Sequence, residues 1–112
     1  MSLILVFREV DRARFEEVRS GIKAIETRAA TPKYRAVNVG DGLTFSCGED
    51  TFTKKVNKVY HWPDIETMLA EVPLKRIMPD LETVEQVRTR YAGYKGYAEE
   101  IPKFGIAGFE LV

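Results

Sequence analysis

Three ionic side chains of different kinds lie within six residues near the start of the chain. Lys23, Glu26 and Arg28 all belong to the segment Ser20-Gly21-Ile22-Lys23-Ala24-Ile25-Glu26-Thr27-Arg28. A lysine can bind phosphate or act as a general base, and a glutamate can accept hydrogen bonds from the amino edge of a nucleobase. An arginine suits phosphate or carboxylate because its planar fork binds two oxygens at once. This segment is therefore the first candidate for a functional site.

The same residues also have ordinary structural explanations. A lysine just past the end of a helix often does no more than offset the helix dipole. A surface pair between Glu26 and Arg28 would contribute only about 0–1 kcal/mol. Position in the fold has to decide between the two interpretations.

The spacing of the apolar residues changes from helical to extended near Gly21, and this change places the ionic segment just after a helix. Phe15, Val18 and Ile22 recur at near-helical spacing, and Gly21 is typical of the left-handed residue that ends a helix, so we predict a helix capped by Asp11 that ends at Gly21. In the extended segment that follows, Glu26 and Arg28 share one face, with Ile25 and Thr27 on the other. An ideal strand would turn Lys23 away from Glu26 and Arg28. Lys23 joins them only if the corner after Gly21 reverses its direction.

A predicted polar loop follows, with one aromatic and two cationic side chains beside the ionic segment. Lys33, Tyr34 and Arg35 belong to this loop, Thr31 to Arg35, and are further candidates for ligand binding, although such a loop is more often a simple connection. Aromatic rings that could stack on a base are more numerous, and most of them are expected in the core or at its rim: Tyr34, Tyr60, His61, Trp62, Tyr91, Tyr94 and Tyr97.

Composition restricts the class of protein. A chain of 112 residues with 45% hydrophobic and 30% charged residues predicts one globular domain over residues 1–112, and the longest apolar run is too short for a membrane span. Cys47 is the only cysteine and His61 the only histidine, so we expect a cytoplasmic protein without a structural metal or a cofactor. Cys47 is expected to be a buried apolar residue rather than a nucleophile.

Charge is balanced overall but unevenly distributed. The formal net charge is zero, which argues against a protein that holds long nucleic acid by phosphate neutralisation alone. Residues 1–40 carry eight basic and five acidic side chains, and residues 61–112 carry six basic and nine acidic ones. A basic patch near Arg28, Lys33 and Arg35 or an ordinary solvated face would both fit this distribution.

Further elements follow from the remaining pattern. Strands are predicted for Leu3 to Phe7, Leu43 to Cys47, Thr51 to Tyr60 and Phe104 to Val112, with a hairpin joining the middle two. Helices are predicted from Ile65 to Val72 and, after the capping box Thr83-Val84-Glu85-Gln86, up to Gly93. Tyr94 to Pro102 is predicted to be a loop. The order of elements predicts an α+β fold, a small and partly open β-barrel of mixed and antiparallel strands with inserted helices.

The arrangement resembles a known family. Gly21-x-Lys23-x-x-Glu26-x-Arg28 matches all four positions of the GxKxxExR motif of the activating-signal-cointegrator homology (ASCH) family, a branch of the PUA-like superfamily of small β-barrels. The turn Val39-Gly40-Asp41, the segment Leu74 to Tyr91 and the final Lys103 to Ala107 strand also look like parts of small stand-alone members.

The resemblance implies a cleft that binds RNA or a nucleoside or nucleotide through the motif. It also leaves an alternative, because a few small ASCH proteins are metal-free amidohydrolases that remove the acyl group from N4-acetylcytidine with a lysine, a hydroxyl residue and a glutamate. Lys23 matches that lysine, but Glu26 stands at the hydroxyl position and Pro79 near the expected glutamate, with Asp80 and Glu82 close by. A hydrolase would therefore use Lys23 with an acid from Glu26, Asp80 or Glu82. This departure favours binding over hydrolysis, and the oligomeric state is left open.

Overall fold

The structure is a computed structural model that describes residues 2–112, and Met1 lies outside the described residues. Five strands form its sheet: β1 (Ser2–Phe7), β2 (Ile25–Ala29), β3 (Gly42–Cys47), β4 (Asp50–Trp62) and β5 (Ile106–Leu111). A single 3-10 turn (Glu9–Asp11) precedes the first of six helices: α1 (Arg12–Ser20), α2 (Pro32–Arg35), α3 (Ile65–Glu71), α4 (Leu74–Ile77), α5 (Val84–Ala92) and α6 (Tyr97–Phe104).

The sheet is mixed and curls into a half-barrel that does not close. Its strand order is β1-β3-β4-β5-β2, with β1 parallel to β3 and the other neighbours antiparallel. The long strand β4 pairs with β3 along its first half and with β5 along its second, and the β5 pairing has a register shift near its start, between Val56 and Lys58. Because β1 and β2 are both edge strands, an opening remains between them.

Two hydrophobic cores lie on opposite faces of the sheet. The first packs α1 through Phe15 and Val18 against Phe45 and Phe109 of the strands. The second packs the helices that follow β4, through Met68, Val87 and Tyr91, against Ile25 and Ile106. Strand β2 therefore has a helix-covered face and a face toward the inside of the half-barrel, so its residues are buried on both faces, Arg28 only partly.

Several expected elements are confirmed. The α+β class, the helix that ends at Gly21, the β3–β4 hairpin and the capping box of α5 are all present. Gly21 has a φ of 89°, so it does end α1 in the left-handed conformation. Asp11 stands at the capping position of α1, but its side chain makes no capping hydrogen bond and instead accepts one from Arg8 Nε at 2.9 Å.

Two predicted loops and one strand boundary were wrong. The segment from Tyr94 to Pro102, predicted to be a loop, contains most of α6. The helix tolerates Pro102 because this residue falls in its last turns, where the missing N–H removes only one intrahelical bond. The loop predicted at Thr31 to Arg35 contains α2, with a proline in its first turn. The last strand begins at Ile106 rather than Phe104, since α6 extends through Phe104.

None of the helices within residues 2–112 is both long enough and apolar enough to cross a membrane.

The capping box of α5 should contribute measurably to stability. Thr83 accepts a hydrogen bond from Gln86 N at 3.2 Å, and Gln86 Oε1 accepts one from Thr83 N at 3.0 Å. We expect Thr83→Ala to lower the free energy of unfolding by about 1 kcal/mol, measured by chemical denaturation. Thr89→Ala is the matched control, because this exposed threonine lies inside the same helix, and its replacement should change stability by less than about 0.5 kcal/mol. Equal losses in both variants would contradict a role for the cap.

Candidate ligand-binding pocket

A cavity of about 510 Å³ occupies the opening of the half-barrel. Its wall combines the end of β1, the ionic residues before and along β2, and the connection between α5 and α6. The lining residues are Val6, Phe7, Arg8, Asp11, Arg14, Lys23, Glu26, Thr27, Arg28, Met78, Tyr91, Gly93, Tyr94, Lys95 and Tyr97. The volume falls in the range of about 300–1,000 Å³ that is usual for small-molecule sites.

The corner after Gly21 brings Lys23 to the pocket. Lys23 N donates to Glu17 O at 3.0 Å and Ala24 N donates to Arg76 O at 3.0 Å, so the backbone of this corner is held by α1 on one side and α4 on the other. The Lys23 ammonium nitrogen then lies 3.4 Å from Glu26 Oε1, and both side chains are buried. The corner therefore turns the Lys23 side chain toward Glu26, which an ideal strand would not do.

Glu26 is the most deeply buried ionic residue of the pocket. It is 3% exposed, and its Oε1 accepts a hydrogen bond from Thr27 N at 3.1 Å and lies 3.7 Å from Arg28 Nε. Its other oxygen, Oε2, is buried and has no hydrogen-bond partner among residues 2–112. A buried polar atom without a partner costs about 1–3 kcal/mol, and more for a charged group. Glu26 therefore lines the cavity with one of its two acceptor oxygens unpaired among the described residues.

Arg28 is held by aromatic rings rather than by hydrogen bonds. Its guanidinium carbon lies 5.5 Å from the Phe7 ring centroid and 5.8 Å from that of Tyr34. Burial acts to lower the pKa of Arg28, but the Glu26 carboxylate and nearby tyrosines outweigh it, and the net pKa is raised. The side chain is 21% exposed, so a permanent, immobilised cation faces the cavity.

Three tyrosines, from α5, α6 and the connection between them, form the aromatic side of the pocket. Tyr94 and Tyr97 contact edge to face, with centroids 5.3 Å apart, and both contact Tyr91. The hydroxyls of Tyr91 and Thr27 are 2.5 Å apart and share a hydrogen bond. Burial raises the pKa of Tyr91, Tyr94 and Tyr97, so all three phenols remain neutral at pH 7. A neutral aromatic wall can stack on a planar ligand.

The cations at the rim are mostly committed to ion pairs. Arg14 binds Glu17 through two hydrogen bonds and lies 3.1 Å from Asp80, which in turn pairs with Arg90 at 2.5 Å. Arg8 pairs with Asp11 at 2.9 Å. Lys95 is exposed, and no ion pair joins it to the rest of residues 2–112. The pocket is therefore electropositive mainly through Lys23, Arg28 and Lys95.

The other predicted site residues lie elsewhere. Lys33 and Arg35 are exposed on α2, outside the cavity wall, and Lys33 lies over the Tyr34 ring at 5.3 Å. Tyr34 contacts the pocket only indirectly, through Arg28. Glu82 is exposed and pairs with Lys75 at 2.6 Å. The motif residues Lys23, Glu26 and Arg28 thus meet in the pocket, and so do Tyr91, Tyr94 and Tyr97 of the aromatic candidates.

Other pocket residues have little or no signal in the sequence. Strand alternation places Thr27 on the face opposite the ionic pair, and Arg8, Arg14 and Lys95 have no local signal. Tyr94 and Tyr97 could be named only among seven aromatic candidates. Their spacing to Tyr91, at intervals of three residues, was the one signal in the sequence that they share a surface.

No group of three or more His, Cys, Asp or Glu side chains within residues 2–112 is arranged to hold a metal ion. The polar atoms of the pocket instead suit an organic ligand, with cationic donors from Lys23 and Arg28, an acceptor from Glu26 and an aromatic wall. Such a set can bind and orient a planar molecule that has N–H donors and an anionic group.

Comparison with known proteins establishes the fold. The chain matches no protein-family model and no curated protein. The crystal structure of hypothetical protein PH0355 is similar, with a TM-score of 0.81 and 23% sequence identity over 99% of this chain and 97% of that one. The solution structure of protein PF0455 from Pyrococcus furiosus gives a TM-score of 0.74 and 21% identity over 99% and 96%. The half-barrel with its helices is therefore shared with both proteins.

Asp80 joins α1 to α5 through ion pairs with Arg14 and Arg90, and we expect this link to depend on pH. Hydrogen bonds from Arg90 lower the pKa of Asp80 from 3.8 to about 2. A carboxylate whose pKa is lowered on folding stabilises the protein above its unfolded pKa and loses that effect as the pH falls through the folded one. After allowance for solvent screening, we expect Asp80→Asn to cost about 1 kcal/mol at pH 7, with the difference shrinking between about pH 4 and pH 2.

Denaturation at a series of pH values would test this expectation. Glu82→Gln is the matched control, since Glu82 has one partner, Lys75, and a side chain that is 72% exposed. We expect the control to leave stability unchanged. If Asp80→Asn lowered the free energy of unfolding equally at every pH, the charge of Asp80 would not be what stabilises its contacts with Arg14 and Arg90.

Proposed function

We propose that this chain is a PUA-like domain of the ASCH type, and that its pocket binds a nucleobase-bearing ligand, the unit common to RNA and free nucleotides. The proposal depends above all on Glu26, which lines a cavity large enough for a ligand and whose buried Oε2 has no hydrogen-bond partner within residues 2–112. An exocyclic amino group or ring N–H of a base would supply the missing donor.

The surroundings of Glu26 support a base rather than a simple cation. Lys23 and Arg28 lie at 3.4 and 3.7 Å from Glu26 Oε1, so the inner pocket already has an excess of positive charge. A free cation would be repelled from this site, whereas a neutral ring with an N–H group and an attached phosphate would satisfy both signs of charge. Tyr94 and Tyr97 offer the aromatic surface on which such a ring stacks.

The motif supports the same conclusion. All four positions of the ASCH pattern have a physical role in this structure: Gly21 ends α1 with a positive φ, and Lys23, Glu26 and Arg28 converge in the pocket that follows. The half-barrel with an opening between β1 and β2 is compatible with a PUA-like architecture. Together these features favour the binding function that the resemblance implies.

Two substitutions should separate base recognition from anion binding. Glu26→Gln retains the shape but replaces one acceptor oxygen with an amide, so we expect a preference among bases to change and the preferred nucleotide to bind about tenfold to a hundredfold more weakly. Arg28→Ala should weaken all nucleotides alike, because it removes a contact to the phosphate that every nucleotide carries. Calorimetry with a panel of nucleosides and nucleoside monophosphates measures both effects.

Glu85→Gln is the matched control for the carboxylate change, because this glutamate is 86% exposed on α5 and outside the pocket. It should leave binding unchanged. Equal, base-independent losses in Glu26→Gln and Arg28→Ala would argue against direct recognition of the base by Glu26.

One observation keeps amide hydrolysis as the second candidate. The pocket contains a hydroxyl, that of Thr27, one residue after the position where the hydrolase members have theirs. Its oxygen is engaged with the Tyr91 hydroxyl at 2.5 Å, and Glu82 is exposed beside Lys75, so neither is arranged to assist Lys23. We therefore propose ligand binding without rapid turnover.

Incubation of the purified protein with N4-acetylcytidine tests this choice. We expect no release of cytidine above the uncatalysed rate when the reaction is followed by chromatography at several pH values. Rapid release that disappears in Lys23→Ala would make the protein an amidohydrolase despite its changed hydroxyl position.

A further inference from the structure

The proposed ligand can be defined more closely from the cations that remain available around the pocket. Nucleic-acid strands are bound chiefly through many phosphate contacts, each of which needs an accessible lysine or arginine. Arg14 has its guanidinium nitrogens on Glu17 and Asp80, at 2.7 to 3.1 Å. Arg8 is paired with Asp11. Arg8 and Arg14 are therefore already paired with carboxylates outside the inner pocket, which leaves Lys23, Arg28 and Lys95 as the other cations of the lining.

Arg28 and Lys95 are the cations best placed for phosphate. The guanidinium of Arg28 forms no hydrogen bond to any group within residues 2–112, although it lies 3.7 Å from Glu26. Lys95 is exposed at the cavity mouth, between Tyr94 and the α6 helix. Lys23 is only 10% exposed and is turned toward Glu26, so it lies too deep for a strand's backbone.

The shape of the site sets a similar limit. Glu26 is buried in the cavity wall, so a base that reaches it must enter the cavity with its hydrogen-bonding edge free, which a base paired in a duplex cannot do. A cavity of about 510 Å³ has room for one nucleotide rather than for several. The net charge of the chain is zero, which provides no extended attraction to a polyanion.

From these observations we infer that the pocket takes one free nucleoside monophosphate, with its base edge at Glu26 and its phosphate at Arg28 and Lys95, rather than a segment of an RNA strand. This inference rests on the proposed function and narrows its ligand class. Two phosphate-binding cations limit the salt dependence, since a single strand that contacts two cations gives a slope of log K against log salt of only about −1.4.

Competition between a mononucleotide and a strand tests the inference. Cytidine and adenosine 5′-monophosphates, the corresponding nucleosides, and a mixed-sequence single-stranded RNA of about ten nucleotides are titrated into the full chain at several salt concentrations. We expect one monophosphate to bind more tightly than its nucleoside, and the RNA to bind less than tenfold more tightly than that monophosphate, with a slope no steeper than about −1.4.

Lys95→Ala should remove most of the advantage of the monophosphate over the nucleoside. Lys103→Ala is the matched control, because Lys103 lies on α6 outside the cavity wall and over the Phe104 ring. RNA binding that is tenfold or more tighter than monophosphate binding, or a steeper salt slope, would overturn the inference while leaving the proposed function intact. Failure of nucleosides, monophosphates and RNA alike to bind would refute the proposed function as well.

Discussion

The burial of one carboxylate governs the arrangement of the site. Moving an ionised glutamate out of water costs several kcal/mol unless partners compensate, and Glu26 is 3% exposed. Lys23, Arg28 and the Thr27 amide all compensate one oxygen, Oε1. The second oxygen, Oε2, has no hydrogen-bond partner within residues 2–112. The corner after Gly21 places Lys23 beside this charge, and the aromatic contacts of Arg28 hold a second cation there.

The incomplete closure of the sheet provides the place for this charge. Strands β1 and β2 do not pair with each other, so the space that another strand pairing would fill becomes the cavity. The cation–π contact between Arg28 of β2 and Phe7 of β1 bridges that opening, and α5 and α6 cover its other side. The two hydrophobic cores hold the sheet from both faces, which leaves the edge region free to carry polar chemistry.

Local signals determined how much of this could be predicted. The end of α1 at Gly21, the alternation of β2 and the capping box of α5 depend on neighbouring residues, and all three were predicted from the sequence. The direction of Lys23 depends on backbone hydrogen bonds to Glu17 and Arg76, and the Thr27–Tyr91 contact joins residues 64 positions apart. Such tertiary contacts produce no periodic pattern in the sequence. Helix α6 was not predicted, and it contains a proline, Pro102, a residue that is unfavourable inside a helix.

A crystal structure of the protein with a bound nucleoside monophosphate would show directly whether Glu26 recognises the base. We expect the base inside the opening between β1 and β2, with a ring or exocyclic N–H donating to Glu26 Oε2 at about 2.7–3.2 Å and the phosphate close to Arg28. A ligand bound elsewhere, or one in the cavity that leaves Glu26 Oε2 without a donor, would contradict it.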